Sequence, residues 1–171
     1  MSELPKHAHL EPEAAAGFRF AVVVSRFNRR ITKALLEGAQ TTLATHGALD
    51  SDIFVCEVPG AFELPVAASR LADGRFDAII CLGVVIKGET PHFDYLSFSV
   101  AHGIQEVAIR SGIPAIFGVL TCEHREHAEA RAGGSKGNKG AEAAIAAIEM
   151  ANLFSLNLAE SHFDGHTSSS S

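Results

Sequence analysis

The chain has 171 residues, 47% of them hydrophobic and 20% charged, with a formal charge of −6. That length suits one domain with a full hydrophobic core. The composition excludes a disordered or fibrous chain, and the acidic balance lacks the basic stripe that nucleic-acid binding requires.

Residues 1–17 mix Pro, His, Glu and Ala without a core period and are expected to form a mobile N-terminal arm. "FRFAVVVS" (18–25) then predicts a strand and "ITKALLEGAQTTLATHGA" (31–48) a helix. "DIFVCEV" (52–58), strand, is followed by "AFELPVAASRLADG" (61–74), helix. "FDAIICLGVVI" (76–86), strand, leads to "FDYLSFSVAHGIQEVAIRSG" (93–112), helix, and "PAIFGVLT" (114–121) is the fourth strand. Two helical stretches close the body, "EHREHAEARA" (123–132) and "AEAAIAAIEMANLFSLNLAE" (141–160). The polar, low-complexity end "SHFDGHTSSSS" (161–171) reads as a disordered tail.

Strands that are apolar almost throughout are covered by helices on both faces. The alternation therefore predicts a three-layer α/β/α sandwich on a four-stranded parallel sheet, in the flavodoxin-like style. The longest apolar runs are far shorter than a bilayer crossing, and "MSELPKHAHLEPE" has no signal-peptide layout. A cytoplasmic protein without membrane or nucleic-acid partners is expected. Cys56, Cys81 and Cys122 are odd in number and widely spaced, with no C-x-x-C pair, so they read as reduced and mostly buried thiols.

Chemistry in such a sheet gathers at the carboxyl ends of the strands. The loops there are "SRFNRR" (25–30), "VPGAFE" (58–63), "KGETPH" (87–92) and "TCEH" (121–124). Gly88 allows close backbone approach, and Thr90 precedes a helix start whose free N–H groups favour an anion such as phosphate. Thr90 capping that helix, with Pro91 in its first turn, is an alternative the residues support equally. His92 fits either a proton carrier or a packing histidine.

Arg131, Lys136 and Lys139 lie in the glycine-rich stretch "EARAGGSKGNKGAEAA" (129–144), suited to an oxyanion or to a solvated helix end. It is not a P-loop: Asn138 stands at the second glycine and Gly140 at the hydroxyl position. Phe27, Phe62 and Phe117, each near a strand end, offer faces for a planar ring or belong to the core. "HREH", with His124 and His127, is not H-E-x-x-H and has no obvious further ligand, so no metal site is assigned.

Taken in order and spacing, "SRFN", "VPGAFELP", "GVVIKGETPHFDY", "PAIFGVLT" and "RAGGSKGNKGAEAAIAAIEMANL" resemble the 6,7-dimethyl-8-ribityllumazine synthase family over residues 18–155. The resemblance implies a transferase of riboflavin biosynthesis that condenses 5-amino-6-(D-ribitylamino)uracil with 3,4-dihydroxy-2-butanone 4-phosphate, releasing phosphate and water. No metal or organic cofactor is implied. Phe27 would stack on the pyrimidine; Gly60, Ala61, Phe62 and Glu63 would hold the ribityl chain; Val85 and Ile86 would meet the pyrimidine edge. Gly88, Glu89, Thr90 and Arg131 would form the phosphate pocket, Lys139 would reach a pyrimidine oxygen, and His92 would move protons. Phe117 would arrive from an adjacent subunit, in a homopentamer or a sixty-subunit icosahedral shell. The chain departs from the family pattern at His127, where a Gln is expected, and in "GGSKG" for "GTKAG". A non-catalytic flavin-binding module and a purely structural shell are the rival readings.

Overall fold

The structure, a computed structural model, describes residues 9–156. Four strands, β1 (Phe20–Ser25), β2 (Ile53–Val58), β3 (Ala78–Ile86) and β4 (Ala115–Cys122), form one sheet in the order β2-β1-β3-β4. Every pairing is parallel, with Phe20 opposite Ile53 and Ala78, and Ile79 opposite Ala115. Between and after them run α1 (Arg29–Thr45), α2 (Leu64–Leu71), α3 (His92–Ser111), α4 (Arg125–Ala130) and α5 (Lys139–Ser155).

Alternation along the central strands sorts the two faces. Phe20, Val22 and Val24 of β1, with Ile80, Leu82 and Val84 of β3, pack with Ile31, Leu35 and Leu43 of α1 and Ala144 and Ile148 of α5. Ala21 and Val23, with Ile79, Cys81 and Val85, pack with Leu64 and Ala68 of α2 and Val100 and Ile104 of α3. The result is the expected three-layer α/β/α, flavodoxin-like sandwich. Each large aliphatic side chain buried this way contributes about 1.5–3 kcal/mol. Coverage on both faces holds for β1 and β3, whereas β2, at one edge, is half-exposed at most positions. No helix among the described residues is long and apolar enough to cross a membrane.

Three expectations need correction. The helix expected over 123–132 stops at Ala130; Ala132–Gly134 (β5) then pairs antiparallel with Gly137–Asn138 (β6). Gly133 (φ 94°) and Gly137 (φ 81°) adopt the left-handed region that turns the chain into this hairpin. Residues 10–17, assigned to a mobile arm, are seated on the core: Ala15 is fully buried and its N–H donates to His46 O at 2.8 Å. Asn152 Nδ2 also donates to Ala14 O at 2.7 Å, fastening this segment to α5. Finally, α3 begins immediately after Pro91 with no side-chain cap, so Thr90 does not cap it. Residues 1–8, the expected helical residues 157–160 and the tail 161–171 lie outside the described residues.

Candidate functional site

A cleft of about 510 Å³ opens at the carboxyl ends of β1, β2 and β3. Its first wall follows β1, where Arg26 N–H donates to Val58 O at 2.8 Å and pins the loop to the end of β2. Asn28 then adopts φ 57°, alone among the described non-glycine residues in the left-handed region. This sharp turn leaves Phe27 69% exposed, with its ring against the cleft. An aromatic ring so poorly buried contributes little to the core and is free to meet a ligand.

The second wall is the tight turn Ala61–Glu63. Gly60 N–H donates to Glu63 Oε2 at 2.9 Å, which holds the carboxylate over the turn beside the exposed ring of Phe62. Val84, Val85 and Ile86 at the end of β3 complete this side.

Lys87 N–H continues the β3–β4 pairing to Cys122 O at 2.9 Å, after which Gly88, Thr90 and His92 curve along the mouth. His92 is the first residue of α3 and is exposed, so its imidazole meets both solvent and cleft. The free N–H groups of the first turn of α3 lie at the same place, adding donors for an anion. Among the described residues, Glu63 and His92 are the titratable side chains lining the cleft, and no lysine or arginine lines it. Rings, amides, a hydroxyl, a carboxylate and an imidazole suit a flat, polyhydroxylated molecule on which protons are moved.

The family model for 6,7-dimethyl-8-ribityllumazine synthase matches residues 17–155. The chain belongs to this family. A lumazine synthase is a transferase of riboflavin biosynthesis, and the matched span covers the whole cleft together with every other residue assigned to the site from sequence.

Those other residues do not line this cleft. Glu89 is exposed on the loop between Gly88 and Thr90. Arg131 follows α4, where its charge is felt by Cys122 at the end of β4. Phe117 and Lys139 share a separate hollow of about 220 Å³ with Glu142, on the β4–α5 edge. Phe117 also borders a hollow of about 450 Å³ along Phe98, His102 and Gln105 of α3. One chain thus gathers Phe27, Gly60, Ala61, Phe62, Glu63, Val85, Ile86, Gly88, Thr90 and His92, and keeps its cations elsewhere.

Sequence reasoning missed Val84, Phe93 and Leu96, which also line the cleft. Phe93 and Leu96 are three apart on α3, a helical pair whose spacing would have placed them together on one face. Arg125 was missed as well: its guanidinium donates to Asn28 Oδ1 at 3.0 Å, joining α4 to the loop that carries Phe27. No sequence signal links positions so far apart.

The cysteines are free. Burial pushes Cys81 up to about 12, reinforced by Cys56. Burial also raises Cys56 and Cys122, with Arg131 pulling Cys122 partly back. Neutral thiols are poor nucleophiles and poor metal ligands, so none is suited to the chemistry of the site.

Proposed function

We propose that the chain condenses 5-amino-6-(D-ribitylamino)uracil with 3,4-dihydroxy-2-butanone 4-phosphate to give 6,7-dimethyl-8-ribityllumazine, phosphate and water. The observation that carries this reading is the cleft itself, which brings Phe27, Glu63 and His92 together around a space of about 510 Å³. Phe27 stacks on the pyrimidine, and its edge lies along Val85 and Ile86. The Gly60–Glu63 turn holds the ribityl hydroxyls through amides and a carboxylate. Gly88, Glu89 and Thr90, at the start of α3, receive the phosphate.

The chemistry asks for little beyond placement and proton traffic. Imine formation between the ring amine and the ketone expels one water, phosphate leaves by elimination, and attack of the ribitylamino nitrogen on the remaining carbonyl closes the ring and expels a second water; His92 accepts and returns the protons. Imidazole is the side chain most often used for such proton transfers. Holding both substrates side by side removes most of the entropic barrier. A departing phosphate is stabilised by positive charge, and among the described residues no lysine or arginine lines the cleft. We therefore assign Arg131, Lys139 and Phe117 to a neighbouring copy, whose β4–α5 edge closes the site. Exposed Tyr95, Phe98 and Ile109, at 74, 73 and 70% accessibility, mark α3 as the surface between copies. A homopentamer is the proposed unit, with the sixty-subunit shell as its closed assembly.

Mixing the purified protein with both substrates and following lumazine fluorescence tests the reaction. Product formation at a rate above the uncatalysed mixture is expected. Binding of a flavin without turnover would instead leave a binding module. Light scattering with electron microscopy separates pentamer from shell and exposes a catalytically silent container.

A further inference from the structure

Lys139 is the first residue of α5, where a cation opposes the helix dipole. Such a placement contributes nothing to helix stability, and its surroundings are built with unusual care. Asn138, immediately before it, uses both ends of its amide. Oδ1 accepts from Gly140 N–H at 2.8 Å and Ala141 N–H at 3.2 Å, capping α5. Nδ2 donates to Ala34 O at 2.9 Å, inside α1 and 104 residues away in sequence.

The cap needs only the oxygen. The second bond does nothing for the end of α5 and instead fixes it against α1. Two glycines make the approach possible: a Cβ on Gly38 would collide with the Asn138 amide, and a Cβ on Gly140 would collide with the carbonyl of Leu35. Lys139 N–H itself donates to Arg131 O at 2.8 Å, tying the backbones of the two cations together. Lys139 is thereby anchored at its own position and on both sides, leaving only side-chain torsions free. Its amine stands 3.5 Å from Glu142 in the hollow shared with Phe117.

We propose that Asn138 is a positioning residue: its bond to Ala34 sets where the Lys139 amine meets the substrate. This rests on the role given to Lys139 under Proposed function. A lysine has four rotatable bonds, and a shift of its mount of about 1 Å is enough to cost up to a hundred-fold in rate when the geometry of reaction is strict.

Asn138→Ser separates the two jobs, because a serine hydroxyl caps α5 but has no amide to reach Ala34. The expected result is an assembly that keeps its size and nearly its Tm, with kcat/KM lowered about ten-fold. In a Lys139→Met background the same serine should leave kcat/KM within about two-fold, since there is no amine left to misplace. Gly38→Ala, which pushes on the Asn138 amide while leaving it in the sequence, should copy the kinetic loss and covers the case in which Asn138→Ser fails to assemble. An equal loss in both backgrounds would reveal a purely structural role and overturn the inference, as would unchanged kinetics beside a defective Lys139→Met enzyme. If Lys139→Met is itself as active as the parent, the fault lies in the role given to Lys139, and the inference falls with it.

Discussion

The cleft at β1–β3 and the hollow at β4–α5 are opposites. The cleft offers exposed rings, turn amides, a carboxylate and an imidazole, and no cation; the hollow is shallow and holds Lys139 beside Phe117. Neither is a whole site for a phosphorylated substrate. Their difference teaches that the fold keeps the two sets of groups in separate hollows, while α3, which starts at the mouth of the cleft, exposes Tyr95, Phe98 and Ile109 to solvent. On the proposed reading, such a chain completes its chemistry by meeting another copy of itself.

Breaking the junction should have the largest effect. Phe98→Asp with Ile109→Asp places two charges on the exposed side of α3, at positions that do not line the cleft. Light scattering should show protomers, and lumazine formation should fall to the uncatalysed rate. Mixing tests the halves separately. Co-assembled His92→Ala and Lys139→Met chains should recover activity in about a quarter of their sites, since random pairing of two half-sites leaves that fraction intact. If the mixture stays as inactive as its components, both groups belong to one chain's site.

Within the cleft, His92→Ala should lower kcat about a hundred-fold with little change in KM, the usual share of a general acid–base. Turnover should survive, because stacking and phosphate placement persist. A pH–rate profile that is identical in the variant and the parent would remove the imidazole from the proton transfers.

The sheet and the cleft were open to inspection in the sequence because they depend on local signals. Continuous apolar runs such as "AIICLGVVI" announce buried strands, and β3 (Ala78–Ile86) is that run. The loops at strand ends announce the cleft, which is why Phe27, the Gly60–Glu63 turn and His92 fall together. What stayed hidden depends on distant partners. The hairpin at 132–138 replaced a helix because two glycines turn the chain and Gly134 packs against the backbone of Ala130, contacts invisible to a window of neighbours. Residues 10–17 looked loose for the same reason, since their bonds run to His46 and Asn152. The separation of Arg131 and Lys139 from the cleft is a matter of which face of the finished sheet each element covers.

The buried thiols report on charge at the two sides. Cys81, in the layer under the cleft, is pushed up to about 12 by burial and has no cation to offset it; Cys122, at the end of β4, feels Arg131. Cys81 is raised above its ordinary value, so its contribution is full below about pH 9 and is lost as pH climbs towards 12. In that window the unfolded chain releases a proton that the folded chain keeps, and stability falls by up to about 1.4 kcal/mol per pH unit. Urea midpoints measured from pH 8 to 11 should therefore decline less steeply in Cys81→Ala than in the parent. Parallel declines would show that Cys81 ionises freely in the folded chain.

The smallest effect should come from Arg125, which touches the cleft only through Asn28. Its bond is at the surface, where such ties contribute roughly 0.2–1 kcal/mol. Yet Asn28 holds a left-handed turn beside Phe27, and a ring displaced there stacks less well. Arg125→Ala should raise KM for the pyrimidine about two-fold at unchanged kcat, while leaving the dependence on the phosphorylated substrate untouched. Asn28→Gly, which keeps the turn without the side chain, should match it, because both lose the same bond and neither alters the backbone path. A loss in kcat as well would mean that the Phe27 loop does more than orient the ring, and would move the boundary between the two halves towards α4.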